Sequence, residues 1–115
     1  NTAKLPYTPD YIKGIAGIKG EFLIIIDLLK FIHPESTAVH NEGKLICVSG
    51  RNFNTAFLVD DIKYIRNLNS IDKSKFYAGN KDYLYAEFME NDTLYSIIDF
   101  NKIINDERLY IQIEN

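Results

Sequence analysis

A chain of 115 residues, 46% hydrophobic and 25% charged, has the composition of a folded globular protein, one ordinary domain or two very small ones, and excludes a disordered segment. A net charge of -3 and a pI near 5.3 lack the basic excess of a nucleic-acid footprint. One cysteine gives no disulfide framework and fits a reducing compartment such as the cytoplasm.

The longest apolar run, Phe22 to Ile26, is far short of the ~20 residues of a membrane-spanning helix, so direct membrane insertion is not expected. Asn1-Thr2-Ala3-Lys4 leads into no apolar segment of a signal peptide. The chain begins without Met and is therefore expected to be an excised or processed piece of a longer protein. Eight Tyr and seven Phe, with abundant Ile, favour strands over helices.

Leu5 to Tyr11 is a proline-punctuated entry in which Pro9 and Asp10 suit a single helical turn. Ile12 to Ile18 carries apolar residues interleaved with Gly14 and Gly17. It reads as a strand whose glycines let backbone or another chain approach closely. Lys19-Gly20 is a tight-turn signal, with Gly20 free to take positive φ. Phe22 to Ile26 reads as a strand buried on both faces.

Asp27 stands where a helix N-cap belongs, ahead of Leu28, Phe31 and Ile32 at helical spacing. Pro34 prevents continuation, and His33 to Gly43 reads as a loop. Lys44 to Ser49, the turn Gly50-Arg51-Asn52, and Thr55 to Val59 form the next strand pair. Asp60-Asp61 predicts a bulge or bend. Ile62, Tyr64, Arg66 and Leu68 then alternate with Lys63, Ile65 and Asn67, and Asn69 to Asp82 is a second polar loop. Tyr83 to Met89 and Leu94 to Ile98 are strands around the turn at Glu90-Asn91-Asp92, and Asp99 caps a second short helix. From Asp106 to Asn115 the pattern fits either a strand through Leu109, Ile111 and Ile113 or a prolonged helix.

The chain contains one unit twice. Ile25-Ile26-Asp27-Leu28-Leu29-Lys30-Phe31-Ile32 recurs as Ile97-Ile98-Asp99-Phe100-Asn101-Lys102-Ile103-Ile104, 72 positions later. The ungapped match runs back to Tyr11 and Tyr83, which makes two similar halves, 11–32 and 83–104. Six or seven short strands, mostly in hairpins, with two short helices, indicate a small barrel or a pair of barrels.

No set of residues assembles a nucleophile, a base and an oxyanion donor, so an enzyme is not expected. Asp27 and Asp99 suggest a carboxylate pair, but their like positions are explained by capping. His33, Glu35, His40 and Glu42 share a loop but fit no recognised zinc spacing. Cys47 reads as a small core residue of a strand. Asp60-Asp61 reads as a solvated bend rather than a cation site. The Tyr residues read either as cross-strand packing or as an exposed interface.

Pro9-Asp10-Tyr11-Ile12-Lys13-Gly14-Ile15, then Ile18-Lys19-Gly20 and Ile25-Ile26-Asp27-Leu28, resembles the CheW-like domain family. That family shows a proline, an aromatic, Ile-x-Gly-[Val/Ile], Asn-Leu-Arg-Gly, a buried strand and Asp-Leu. Phe57-Leu58-Val59-Asp60-Asp61-Ile62 resembles its Val-Asp segment, and Tyr83 to Ile104 its closing segment. The resemblance runs in register from about Leu5 to Asn105.

It implies a mainly β fold of two small Greek-key or SH3-like β-barrel subdomains with short helices, residues 1–115 forming a single domain. It implies a non-catalytic chemotaxis adaptor without cofactor, cytoplasmic and associated with membrane receptor arrays. The adaptor joins the cytoplasmic tips of chemoreceptors to the regulatory domain of the histidine kinase CheA. By position, Lys19, Gly20, Ile62 and Ile65 fall on the partner-binding surface, although Ile62 and Ile65 are also of the type that fills a core.

Two departures stand out. The family's domain starts with further residues that supply its first two strands, so the first subdomain is expected to be incomplete and its open strand edges to support a homodimer or a strand exchange. Gly17-Ile18-Lys19-Gly20 replaces Asn-Leu-Arg-Gly, and Lys19 keeps the charge of the arginine without its planar fork. The rival readings are a small-ligand or enzymatic β-barrel using His33, His40 and Asp60-Asp61, and a pure oligomerisation module.

Overall fold

The structure, a computed structural model, describes residues 2–3, 9–37, 42–49, 54–78 and 82–109. The chain forms two compact units, Asn1–Lys63 and Tyr64–Asn115. It is mainly β, with two sheets and two five-residue α-helices among the described residues.

The first unit is a five-stranded sheet of order β1-β2-β3-β5-β4. Its elements are β1 (Thr2–Ala3), β2 (Ile12–Ile18), β3 (Glu21–Asp27), α1 (Leu28–Ile32), β4 (Lys44–Ser49) and β5 (Asn54–Val59). β1, β2 and β3 pair antiparallel, β3 and β5 pair parallel, and β4 closes the sheet antiparallel to β5. β3 is central, which is why Leu23, Ile25 and Ile26 form a nearly unbroken apolar run. Leu23 and Ile25 pack with Ala16 and Ala56, and Ile18 and Leu58 lie against that cluster. Phe31 of α1 is buried and meets Tyr11 edge-on, with ring centroids 5.0 Å apart.

The second unit is a three-stranded antiparallel sheet of order β6-β7-β8, from Tyr77–Ala78, Leu84–Glu90 and Thr93–Ile98, followed by α2 (Phe100–Ile104). An aromatic stack fills its inner face. Phe76 lies on Phe88 at 5.4 Å, and Phe88 on Tyr95 at 5.1 Å. Ile103 and Leu109 are buried.

Residues 72 apart adopt the same geometry. The Asp27 amide donates to the Tyr11 carbonyl at 2.8 Å, and the Asp99 amide to the Tyr83 carbonyl at 2.8 Å. The β2–β3 ladder shifts register between Ile12 and Gly14, and the β7–β8 ladder between Leu84 and Ala86. Lys19 and Gly20 have φ of 51° and 80°, Asn91 and Asp92 of 51° and 62°. Two successive positive φ values are what a two-residue hairpin loop needs to match the twist of its strands. Asp27 accepts from the Lys30 amide at 3.1 Å and Asp99 from the Lys102 amide at 3.3 Å, so both carboxylates cap short helices.

The two copies differ in cover. Leu23, Ile25 and Ile26 of β3 are buried, whereas Tyr95, Ile97 and Ile98 at the matching places of β8 are only partly so. β3 has a strand on each edge, while β8 pairs only with β7 among the described residues.

Several expectations need correction. Phe22 is 81% exposed, because its side chain leaves β3 on the outer face next to the turn. Cys47 is exposed, because β4 is an edge strand whose outer face meets solvent. Residues 61–67 form no regular strand despite their alternation. The stretch expected as a loop from Asn69 to Asp82 carries the end of a 3-10 turn at Leu68–Ser70, a second at Lys73–Lys75, and the short strand β6. Asp106 does not prolong α2, since a 3-10 turn follows at Glu107–Leu109. Pro6 and Tyr7, His40, the turn at Gly50-Arg51-Asn52, and Ile111 and Ile113 lie outside the described residues.

Thr55 in β5 is 1% exposed, and its Oγ1 has no hydrogen-bond partner among the described residues. A buried hydroxyl without a partner destabilises by its lost hydration. Thr55→Val keeps the shape and removes the hydroxyl, so we expect urea unfolding to show a gain of about 1 kcal/mol. An unchanged or lowered midpoint would contradict this assignment.

Candidate interaction surface

The β2–β3 hairpin carries two of the residues selected from the sequence. Ile18 pairs with Glu21 across the turn, which leaves Lys19 and Gly20 at the tip, both exposed. A Cβ on Gly20 would meet nothing within 4 Å, so its constraint is its φ of +80° and not space. Lys19 makes no hydrogen bond or ion pair among the described residues. Glu21 beside it is engaged, because Asn54 Nδ2 donates to its carboxylate at 2.9 Å.

Ile62 and Ile65 lie in the irregular segment after β5. A bend at Asp60 ends the strand, and the Asp61 carboxylate accepts from the Ile62 amide at 2.8 Å. Ile62 is 48% and Ile65 96% exposed, so neither is a core residue. Ile62 belongs to the first unit and Ile65 to the second.

Ile65 sits between two anchored neighbours. The Arg66 guanidinium donates twice to the Glu90 carboxylate of β7, at 2.6 and 3.1 Å. The hydrogen bonds from Arg66 hold the Glu90 carboxyl below its ordinary value of 4.5, and those to Glu90 raise Arg66. Tyr64 hydrogen-bonds to Tyr95 of β8, which pushes the Tyr95 hydroxyl up. No local pattern points to the Arg66–Glu90 pair, since 24 positions separate the partners.

Elsewhere, Tyr83 donates to the Asp106 carboxylate and accepts from Arg108 at 3.0 Å. Burial first, and then Asp106, raise the Tyr83 hydroxyl. This cluster ties the Glu107–Leu109 turn to the start of β7. His33 Nδ1 lies 3.5 Å from the Glu35 carboxylate. No group of three or more His, Cys, Asp or Glu stands together among the described residues, and no described helix is long and apolar enough to cross a membrane.

The CheW-like domain family matches residues 1–108. The chain belongs to the CheW-like domain family. Among solved structures, this CheW-like chain is similar to the scaffolding protein TtCheW from Thermoanaerobacter tengcongensis, with 21% identity and a TM-score of 0.66. The alignment covers 85% of the present chain and 66% of that one, so the likeness is one of fold over about two thirds of that protein's length. No curated protein matches the chain in sequence.

The pair at Glu90 has a measurable signature. A carboxyl whose folded pKa is depressed stabilises the fold above its unfolded value, and that contribution is lost as pH falls through the folded value. Below the ordinary 4.5 of Glu90, stability of the wild type is expected to fall more steeply than that of Glu90→Gln. Urea midpoints from about pH 5 to about pH 3 would check this. Parallel profiles would show that the pair contributes nothing in solution.

Proposed function

We propose that this CheW-like chain is a non-catalytic adaptor of chemotaxis signalling. It couples the cytoplasmic tip of a chemoreceptor to the regulatory domain of the histidine kinase CheA, in the cytoplasm next to receptor arrays. Its two repeated halves, 11–32 and 83–104, belong to one domain. The observation that carries the reading is the family match over residues 1–108. The exposure of Lys19, Gly20, Ile62 and Ile65 supports a contact through these residues. Exposed apolar side chains such as Ile62 and Ile65 suit protein association better than a small-molecule site.

A second reading rests on β8. Its edge has no partner among the described residues, and Ile97 and Ile98 are only partly covered. Open edges favour pairing between chains, so the chain also self-associates through β8.

Calorimetric titration with a purified CheA regulatory domain and with a receptor tip tests the adaptor. Both are expected to bind, with Lys19→Glu weakening at least one of them by about tenfold. Binding of neither would overturn the adaptor reading. Sedimentation equilibrium tests the second reading, and a monomer at all concentrations would end it.

A further inference from the structure

We propose that Phe22 is the aromatic anchor of the adaptor's contact and that Gly17 and Lys19 complete its docking face; this rests on the adaptor reading above. The partner it fits presents an apolar recess edged by a carboxylate, with backbone close to the recess.

Phe22 is an expensive residue to leave in water. It is 81% exposed, the second most exposed of the large hydrophobic side chains described, after Ile65. A lone exposed apolar residue is ordinary, but the surroundings of this one are arranged around it. Directly across the ladder from Phe22 stands Gly17. A Cβ at Gly17 would touch only the Phe22 ring, at 4.0 Å. Nothing else crowds the position, and Gly17 is not among the residues with positive φ. Neither space nor conformation therefore demands glycine there. Glycine in a strand interior weakens it, and such a residue often marks close approach by another chain.

The second hairpin shows what the same position holds otherwise. Met89 and Leu94, 72 positions on, face each other across β7 and β8. There a side chain covers the outer neighbour, whereas on β2 the glycine leaves one side of the ring open. Two charges flank the turn, Lys19 and Glu21, and they differ in their contacts. Lys19 is unpaired among the described residues, while Asn54 engages the Glu21 carboxylate. The hairpin tip thus offers a ring, a gap beside the ring and a cation that is unpaired among the described residues. Aromatic residues of this kind carry much of the binding free energy at interfaces. A partner carboxylate pairing with Lys19 would set orientation and association rate.

The test uses two variants of the whole chain, each titrated separately with a CheA regulatory domain and a chemoreceptor tip. Phe22→Ala removes the anchor. Gly17→Val keeps the anchor but fills the gap, and its β-branched side chain favours the strand. Both are expected to weaken binding of the same probe by about tenfold or more. The unfolding midpoint is expected to stay unchanged in Phe22→Ala and to stay or rise in Gly17→Val, which separates lost contact from lost fold. If the wild type binds and both variants bind within about twofold of it, the docking face is refuted and the adaptor reading stands. If the wild type binds neither probe, both fall together.

Discussion

The hydrogen bond from the Asp27 amide to the Tyr11 carbonyl, at 2.8 Å, closes the unit on which the first half of the chain is built. It ties the last residue of β3 to the residue before β2, so the hairpin ends in register where the helix must begin. The Asp27 side chain then caps that helix through the Lys30 amide. One residue thus ends a ladder with its amide and starts a helix with its carboxylate. Only Asp, Asn, Ser or Thr can do the second task well. The same pair of bonds at Asp99, to Tyr83 and from Lys102, gives the second half the same frame.

That frame fixes where the hairpin tips point, and the surroundings fix how each tip is used. β3 is flanked on both sides, so Leu23, Ile25 and Ile26 are shielded and the strand is a rigid support for the Lys19-Gly20 turn. β8 keeps the Ile-Ile-Asp sequence without the same cover. The Arg66–Glu90 pair and the Tyr64–Tyr95 contact instead hold the segment after β5 to the second hairpin. Ile65 between them is turned outward at 96% exposure. In both places an exposed apolar side chain stands on backbone that pairing or hydrogen bonds hold, an arrangement that would lower the entropy cost of the proposed contact.

Much of this was legible in the residues. The repeat, the turn at Lys19-Gly20 and both capping aspartates follow from local chemistry, in which each residue acts on neighbours within a few positions. What failed depended on distant partners. Phe22 looks buried because it opens an apolar run, yet only the pairing with Gly17 and the nearby turn shows that it faces out. Cys47 looks buried until β4 is known to be an edge. The alternation from Ile62 to Leu68 looks like a strand, but Arg66 finds Glu90 and the segment follows that ion pair instead of a ladder. The parallel pairing of β3 with β5 spans an intervening helix and strand, a separation at which periodicity carries no signal.

The proposed adaptor contact lies on the β2–β3 tip and the segment after β5, away from the capping aspartates that first suggest chemistry. Amide chemical-shift mapping of the isotope-labelled chain, titrated with an unlabelled CheA regulatory domain, measures this most directly. The expected result is perturbation concentrated at Gly17 to Phe22 and at Ile62 to Ile65. Perturbation centred on other residues, or none at saturating partner, would contradict it.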